Sequence, residues 1–233
     1  MSKRRGILLG IEGTDGSGKS EQSKRLVSHL RREKVPVAVF DFPQYSRPSS
    51  YFVREYLNGR YGSWKEVGPR RASLFYALDR FDAGDRIRSL LRRGYVVVSN
   101  RYAASNMGHQ GAKISGQGAR KKFLRWVRNL EYELLRIPKP DASIVLHVPA
   151  KIAYALIGRK GKREYLRGRR RDIHEEDIRH LERAEKVYLE MARLFPKDFR
   201  LVRCVRGGKL RTIEDIHGEV WRAASRILGR RTR

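Results

Sequence analysis

The stretch from residue 13 to residue 20 constrains the fold of this chain more than any other. It reads GTDGSGKS and matches the spacing G-x-x-x-x-G-K-S. The apolar run ILLGI precedes it and is long enough for one buried strand, and a helical pattern follows around Leu26, Val27 and Leu30. A strand, a glycine-rich loop and a helix in this order bind phosphate, because backbone N–H groups and the helix N-terminus face the anion.

The same pattern assigns a role to each residue of the loop. We expect Lys19 to reach the β- and γ-phosphates of a nucleoside triphosphate, and the hydroxyl of Ser20 to bind Mg²⁺. The other members would surround the phosphates of ATP with N–H groups; they are Gly13, Thr14, Asp15, Gly16, Ser17 and Gly18. The loop thus predicts ATP and Mg²⁺ as cofactors but leaves the phosphate acceptor open.

The rest of the chain predicts a single α/β domain over residues 1–233. Further strand-like runs lie at 35–42, 95–98, 142–148 and 199–205, and helical patterns separate them. Such alternation predicts a five-stranded parallel sheet with helices on both faces. The glycine-rich stretch 105–118 is interpreted as partly loop, and 119–137 as one helix. In the long helix at 69–93, Leu74, Leu78 and Phe81 are among the apolar positions at helical spacing.

The composition limits the setting and the partners. The net charge of +28 exceeds what a nucleotide enzyme needs, and it indicates either a solvated basic surface or non-specific contact with nucleic acid. Cys204 is the only cysteine, which excludes an intrachain disulfide and makes a reducing cytoplasm the expected setting. No apolar run approaches the ~20 residues of a membrane span, so we expect no membrane association.

Three further stretches narrow the identity of the acceptor. Phe42-Pro43 closes the second strand, LFYALDR occupies 74–80, and NRYAAS at 100–105 continues to HQG at 109–111. The Asn-Lys-x-Asp motif of GTPases is missing, and Thr14 stands where the adenylate-kinase loop has proline. With EGTDG in the loop, PD before the fourth strand and DIHE at 172–175, this ordered set resembles the thymidylate kinase family nearly end to end.

The resemblance implies transfer of the γ-phosphate of ATP to dTMP. It implies that Tyr76 stacks on thymine, that Arg80 hydrogen-bonds the base and that Arg101 grips the dTMP phosphate. A planar guanidinium suits both arginine roles, because it donates directional and bidentate hydrogen bonds. The other implied dTMP-binding residues are Asp15, Phe42, Tyr45, Asn106, His109 and Gln110. From the residues alone, Tyr76 also fits a core aromatic, and Asp15 also fits a turn.

The cationic segment at about 158–172 matches the mobile lid of the family. Family members with glycine at the position of Gly16 supply the catalytic arginine from the lid. Such an arginine would offset charge on the moving phosphoryl group and exclude water on closure. The implied catalytic residues are Lys19, Asp15, Arg101, Arg159 and Arg163. The sequence does not rank these lid arginines against Arg167, Arg169, Arg170 and Arg171.

The chain departs from the family pattern at two positions of the implied site. Asn100 stands where the family usually has aspartate, so its contact with Mg²⁺ through water would lack a charge. His109 stands at the sugar-facing position where the family often has tyrosine or phenylalanine. The resemblance further implies a homodimer through helices that flank the sheet.

Two other functions fit parts of the sequence. A deoxynucleoside kinase, for example one acting on thymidine, shares the loop and needs a carboxylate base, for which Asp41 at the end of the second strand is available. A nucleic-acid-binding P-loop protein with little turnover would account for the net charge and for Asn100.

Overall fold

The five-stranded parallel sheet is confirmed in the computed structural model, which describes residues 5–157 and 178–230. The strands are β1 (Ile7–Glu12), β2 (Val37–Asp41), β3 (Val96–Asn100), β4 (Ala142–His147) and β5 (Phe199–Arg203). Their order across the sheet is β2-β3-β1-β4-β5, and every neighbouring pair is parallel. The predicted lid at 158–172 lies outside the described residues.

Helices cover both faces of this sheet, as predicted. They are α1 (Lys19–Arg32), α2 (Tyr51–Leu57), α3 (Trp64–Arg92), α4 (Ala103–Gly111), α5 (Gln117–Arg128), α6 (Ala150–Ile157), α7 (Ile178–Leu194) and α8 (Ile213–Arg230). Successive side chains of a strand point to opposite faces, so Leu9 of β1 packs with α1 and α8 whereas Leu8 packs with α3. No helix of the described ranges is long and apolar enough to cross a membrane.

The glycine-rich stretch 105–118 is partly loop, as expected, because residues 112–116 join α4 to α5. Residues 103–111 form α4, and nearly all of that helix is buried. Its glycines permit close approach to α7, since a Cβ at Gly108 would lie 2.7 Å from ring atoms of Tyr188. A Cβ at Gly111 would lie 3.2 Å from Val187. Gly108 and Gly111 therefore serve tight helix–helix packing, whereas Gly116 lies in the connecting loop with a φ of 81°.

The apolar stripe of the long helix also differs from a simple core face. Leu74, Leu78 and Phe81 have the helical spacing expected, yet they are 39%, 44% and 50% exposed. Other residues of α3 pack into the core, and they include Ala72, Ala77, Ala83 and Ile87. The exposed stripe is therefore an apolar surface that the described chain does not cover.

Two local features fall outside the predicted pattern. Helix α5 ends at Arg128, and Asn129–Leu134 forms a wider π-helical turn instead of an α-helix continuing to residue 137. After β5, a short hairpin joins β6 (Val205–Arg206) to β7 (Lys209–Leu210) through two glycines with positive φ. The wider turn places Glu131 inside the protein, with consequences for the site described next.

Candidate active site

The predicted phosphate-binding loop joins β1 to α1 at the carboxyl edge of the sheet. Gly16 has a φ of 81°, and Gly18 has a φ of 84°, a region that favours glycine. A Cβ at Gly16 would also overlap the carbonyl oxygen of Ala153 in α6. The backbone of α6 therefore excludes an arginine side chain at this position of the loop.

Lys19 is the first residue of α1, and its side chain is buried against the preceding loop residues. Its Nζ donates a hydrogen bond of 2.6 Å to the carbonyl oxygen of Thr14 and lies 3.5 Å from Oγ of Ser17. Both contacts come from the loop itself, so the ammonium is held where a bound phosphate would meet it. A buried ammonium favours an anionic ligand, because a charge inside the protein needs an opposite partner.

A chain of hydrogen bonds connects the start of α1 to the ends of β2 and β3. Asn100 Nδ2 donates to Asp41 Oδ1 over 2.9 Å and to Ser20 Oγ over 3.3 Å. The strand register pairs Asp41 with Asn100, which explains why the two side chains meet. Burial raises the pKa of Asp41, and the charge of Arg101, the hydrogen bond from Asn100 and the charge of Lys19 oppose that rise.

Arg101 lies directly after β3 and turns its guanidinium toward the loop. Its backbone adopts a φ of 63°. The Nη2 atom forms an ion pair with Oδ1 of Asp15, and Nη1 lies 3.3 Å from both Ser105 Oγ and His109 Nε2. Burial disfavours the charge, but Asp15, together with Tyr188, Tyr45 and Glu12, outweighs that effect and raises the pKa of Arg101. The structure thus brings together three of the predicted site residues: Asp15, Arg101 and His109.

The imidazole of His109 is enclosed between helices α4 and α7. Its Nε2 lies 4.0 Å from Asp15 Oδ2, and its ring stacks on His180 with centroids 5.7 Å apart. Burial lowers the pKa of His109 well below its usual range; Asp15 opposes the shift, while Arg101 and His180 add to it. The side chain beside Arg101 is therefore a neutral imidazole near pH 7.

Glu12 connects the end of β1 to the first turn of α4. It is wholly buried, and it accepts hydrogen bonds from the backbone N–H of Tyr102 (2.7 Å) and from Ser105 Oγ (2.6 Å). Tyr188 of α7 donates to the same serine hydroxyl over 3.2 Å. Burial raises the pKa of Glu12. These bonds fix α4 against the loop and so set the position of the residues it carries.

Arg80 and Asn106 share one acidic partner, Glu131. The guanidinium of Arg80 donates two hydrogen bonds to the carboxylate, from Nε over 2.7 Å and from Nη2 over 2.5 Å. Asn106 Nδ2 donates to Glu131 Oε1 over 2.9 Å and to the carbonyl oxygen of Ser73 over 3.1 Å. The Oδ1 atom of Asn106 is buried and has no hydrogen-bond partner among the described residues.

The sequence reasoning did not single out Glu131. The one signal available was its spacing, because it follows Val127 by one helical turn in a stripe that is otherwise apolar. A carboxylate at an inward position requires a buried partner. Arg80, which lies 51 residues earlier in the chain, supplies that partner.

Gln110 and Tyr76 lie on α4 and α3 beside the same region. Gln110 Oε1 accepts a hydrogen bond of 2.7 Å from Lys113, whereas its Nε2 is buried and has no partner within the described ranges. Tyr76 is half-buried, and its ring meets Tyr56 edge-on with centroids 6.4 Å apart. Asn106 and Gln110 lie about one helical turn apart on α4. Within the described ranges, Asn106 leaves a buried acceptor without a partner and Gln110 leaves a buried donor without one.

Two of the remaining predicted residues, Phe42 and Tyr45, follow β2. Phe42 is buried and packs edge-on against Tyr102 with centroids 5.6 Å apart. Tyr45 is half-buried and close enough to Arg101 to raise the pKa of that guanidinium. Arg159 and Arg163 lie outside the described residues.

Comparison with known proteins identifies the family of this chain. A family model described as thymidylate kinase matches residues 11–207. The thymidylate kinase of Mycobacterium tuberculosis (strain ATCC 25618 / H37Rv) is 34% identical over 187 residues, which cover 80% of this chain and 86% of that protein. The thymidylate kinase of Plasmodium falciparum is 28% identical over 225 residues, covering 97% and 92%. In fold, the solved thymidylate kinase of Candida albicans is similar with a TM-score of 0.70 at 24% identity, covering 95% of this chain and 92% of that one. The chain therefore belongs to the thymidylate kinase family.

Proposed function

We propose how the groups at the carboxyl edge carry out phosphoryl transfer in this chain. As a thymidylate kinase it is a phosphotransferase that converts dTMP to dTDP. The deoxynucleoside kinase and the nucleic-acid-binding protein considered from the sequence are not favoured by its relatives. We further propose the roles of individual residues, the cofactors and the partners.

ATP is the donor that we assign to the loop 13–20. The buried ammonium of Lys19 and the glycine conformations of the loop fit a polyphosphate. The hydroxyl of Ser20 fits Mg²⁺, which prefers oxygen ligands and keeps several waters. When bound, Mg²⁺ would offset the charge of the phosphates. The protein's part is to hold these groups in line with the acceptor.

The dTMP phosphate is assigned to Arg101. The guanidinium lies 3.3 Å from the hydroxyl of Ser105 and is paired with Asp15 of the loop, so it stands between the loop and α4. A phosphate bound there would compete with Asp15 for the same N–H donors. The acceptor is already an anion near neutral pH, so its attack on the γ-phosphorus requires no general base. Positioning and charge compensation then supply the catalysis.

The base of dTMP is assigned to the region of Tyr76, Arg80, Asn106 and Gln110. The observation that carries this assignment is the buried, unpartnered Oδ1 of Asn106. Two acceptors hold the amide nitrogen, so the oxygen must be the atom left over. An unsatisfied buried acceptor costs about 1–3 kcal/mol, which the N3–H of thymine would relieve. Cytosine carries an acceptor at N3 and would not relieve it.

A panel of nucleoside monophosphates tests the assignment. A coupled assay of ADP release should show preference for dTMP over dUMP, dCMP and AMP, and equal use of dTMP and dCMP would overturn the proposed reading of the base. Arg101→Ala should lose most dTMP turnover while ATP binding, measured by calorimetry, is retained. Arg222→Ala removes a guanidinium that is 68% exposed and serves as the matched control.

Arg159 and Arg163 stay proposed catalytic residues of the lid. The backbone of α6 beside Gly16 supports a source outside the loop, because an arginine at residue 16 would collide with Ala153. Single alanine variants of each lid arginine, compared in kcat at saturating substrates, distinguish a catalytic residue from a solvated one. A catalytic role predicts a fall in kcat with little change in KM.

We propose a homodimer formed through the exposed stripe on α3. Leu74, Leu78 and Phe81 present an apolar surface that the described chain leaves uncovered. Leu78→Asp should shift the mass measured by light scattering from dimer to monomer. Leu210→Asp, at a residue of equal exposure on β7, should leave the mass unchanged.

The net charge of +28 favours a further, weaker contact. A groove of about 300 Å³ between β5 and α8 is lined by Arg200, Arg222 and Arg226. We propose that it contributes to non-specific binding of nucleic acid, which should weaken steeply with salt. Titration of a labelled single-stranded RNA at several salt concentrations measures the slope, and a flat slope contradicts the proposal.

The single, buried Cys204 is consistent with a cytoplasmic enzyme, and we propose that location.

A further inference from the structure

The orientation of the Asn100 amide determines what this residue offers to a metal site. Asp41 Oδ1 only accepts hydrogen bonds when the carboxylate is ionised, so the atom of Asn100 that lies 2.9 Å from it must be the nitrogen. The same nitrogen lies 3.3 Å from Ser20 Oγ. Asn100 therefore presents a donor, not an acceptor, to the hydroxyl that would bind the metal.

A hydrated Mg²⁺ on Ser20 needs acceptors for the protons of its waters. Mg²⁺ keeps several of its waters when it is bound to protein and phosphate. The carboxylate of Asp41 is the anionic acceptor in this hydrogen-bonded chain, whereas Oδ1 of Asn100 is buried. Asp41 Oδ1 receives the amide of Asn100, and Asp41 Oδ2 makes no hydrogen bond with the part of the chain that the structure describes.

Two cations of the site act on the carboxylate of Asp41, which is itself exposed. Lys19 and Arg101, the cations assigned to the two phosphate groups, both interact electrostatically with its carboxylate. Strand register holds it beside Asn100 at the carboxyl edge. Because dTMP needs no general base, the carboxylate has no competing role in proton transfer.

We propose that Asp41 belongs to the magnesium site. Its carboxylate accepts hydrogen bonds from metal-bound water and supplies the negative charge that Asn100 lacks, while Asn100 holds that carboxylate through its amide N–H. The carboxylate of the site thus stands at the end of β2, at Asp41, and not at the end of β3, where the family usually has aspartate and this chain has Asn100. This inference rests on the proposed binding of Mg²⁺ to Ser20.

Exchange of the two side chains tests the proposal. Binding of Mn²⁺ to the full chain with ADP is measured by electron paramagnetic resonance. Asp41→Asn should weaken metal affinity about 10–100-fold, as loss of an outer-sphere partner does, with ADP affinity in the absence of metal unchanged. The double variant Asp41→Asn/Asn100→Asp returns one carboxylate to the register pair and should recover most of the affinity.

Two controls make each outcome decisive. Asp85→Asn removes a carboxylate that is 95% exposed, and it should leave metal affinity unchanged. Thermal melting of every variant checks folding. Loss of metal affinity in Ser20→Ala but not in Asp41→Asn would overturn the role of Asp41 and leave the magnesium site standing. Unchanged affinity in Ser20→Ala would instead overturn the proposed site itself.

Discussion

Removal of Glu131 should destabilise this protein more than removal of almost any other acid in the described ranges. The side chains of Arg80 and Glu131 are 3% and 0% exposed and form a two-bond ion pair. Glu131→Ala leaves the guanidinium buried without that partner, at a cost of roughly 3–5 kcal/mol. Loss of the bond from Asn106 adds about 1 kcal/mol. At about 2–4 °C per kcal/mol for a chain of this size, the melting temperature should fall by roughly 10–20 °C.

Thermal unfolding followed by calorimetry measures this change. Glu214→Ala is the matched control, because Glu214 is 70% exposed and its pair with Arg25 should be worth about 0–1 kcal/mol. Replacement of both buried partners, Arg80→Met with Glu131→Leu, should recover much of the loss since no charge is left unpaired. A fall of less than about 2 °C in Glu131→Ala, or a double variant less stable than the single one, refutes the reasoning.

Three further predictions concern packing, protonation and capping. Gly108→Ala forces a Cβ against the ring of Tyr188 and should destabilise by about 1–3 kcal/mol, whereas Gly118→Ala meets open space and should stabilise by about 0.5–1 kcal/mol; denaturant titration compares them. Burial lowers the pKa of His109, so below pH 6.5 the imidazole takes up a proton in the unfolded chain but not in the folded one. The free energy of unfolding should therefore decline as the pH falls below 6.5. His109→Gln should reduce that slope in melting curves, and an unchanged slope contradicts the assignment. Thr212→Ala removes the 3.1 Å cap at the start of α8 and should cost about 0.5–2 kcal/mol of unfolding free energy in denaturant titration.

The features predicted correctly from sequence are those written in local patterns. The loop GTDGSGKS and the apolar runs on either side fix a strand, a turn and a helix within about thirty residues. Strands β3 and β4 are short runs rich in β-branched and apolar residues, which suit the centre of a sheet buried on both faces. The start of α8 is equally local, since the hydroxyl of Thr212 accepts from the N–H of Asp215 three residues later.

The features that sequence reasoning missed depend on contacts between distant segments. Gly108 resembles a loop residue until Tyr188 is placed against it, 80 positions further along the chain. The partnership of Arg80 with Glu131 depends on a π-helical turn that no local propensity marks. Likewise, helical spacing groups Leu74 with Leu78 but does not say whether their face meets the core or another molecule.

The packing of α1 on α8 has a consequence for how the enzyme is made. Gln22 Nε2 donates over 3.0 Å to the carbonyl oxygen of Ile213, 191 positions later, and the ring of His29 stacks on Trp221 at 3.7 Å. At about 5–20 residues per second, the ribosome adds α8 roughly 10–40 s after α1. Over that interval the apolar face of α1, including Leu26, lacks the helix that covers it in the finished fold. The nascent chain should therefore acquire a working phosphate loop late in synthesis, so that nucleotide binding marks a nearly complete molecule.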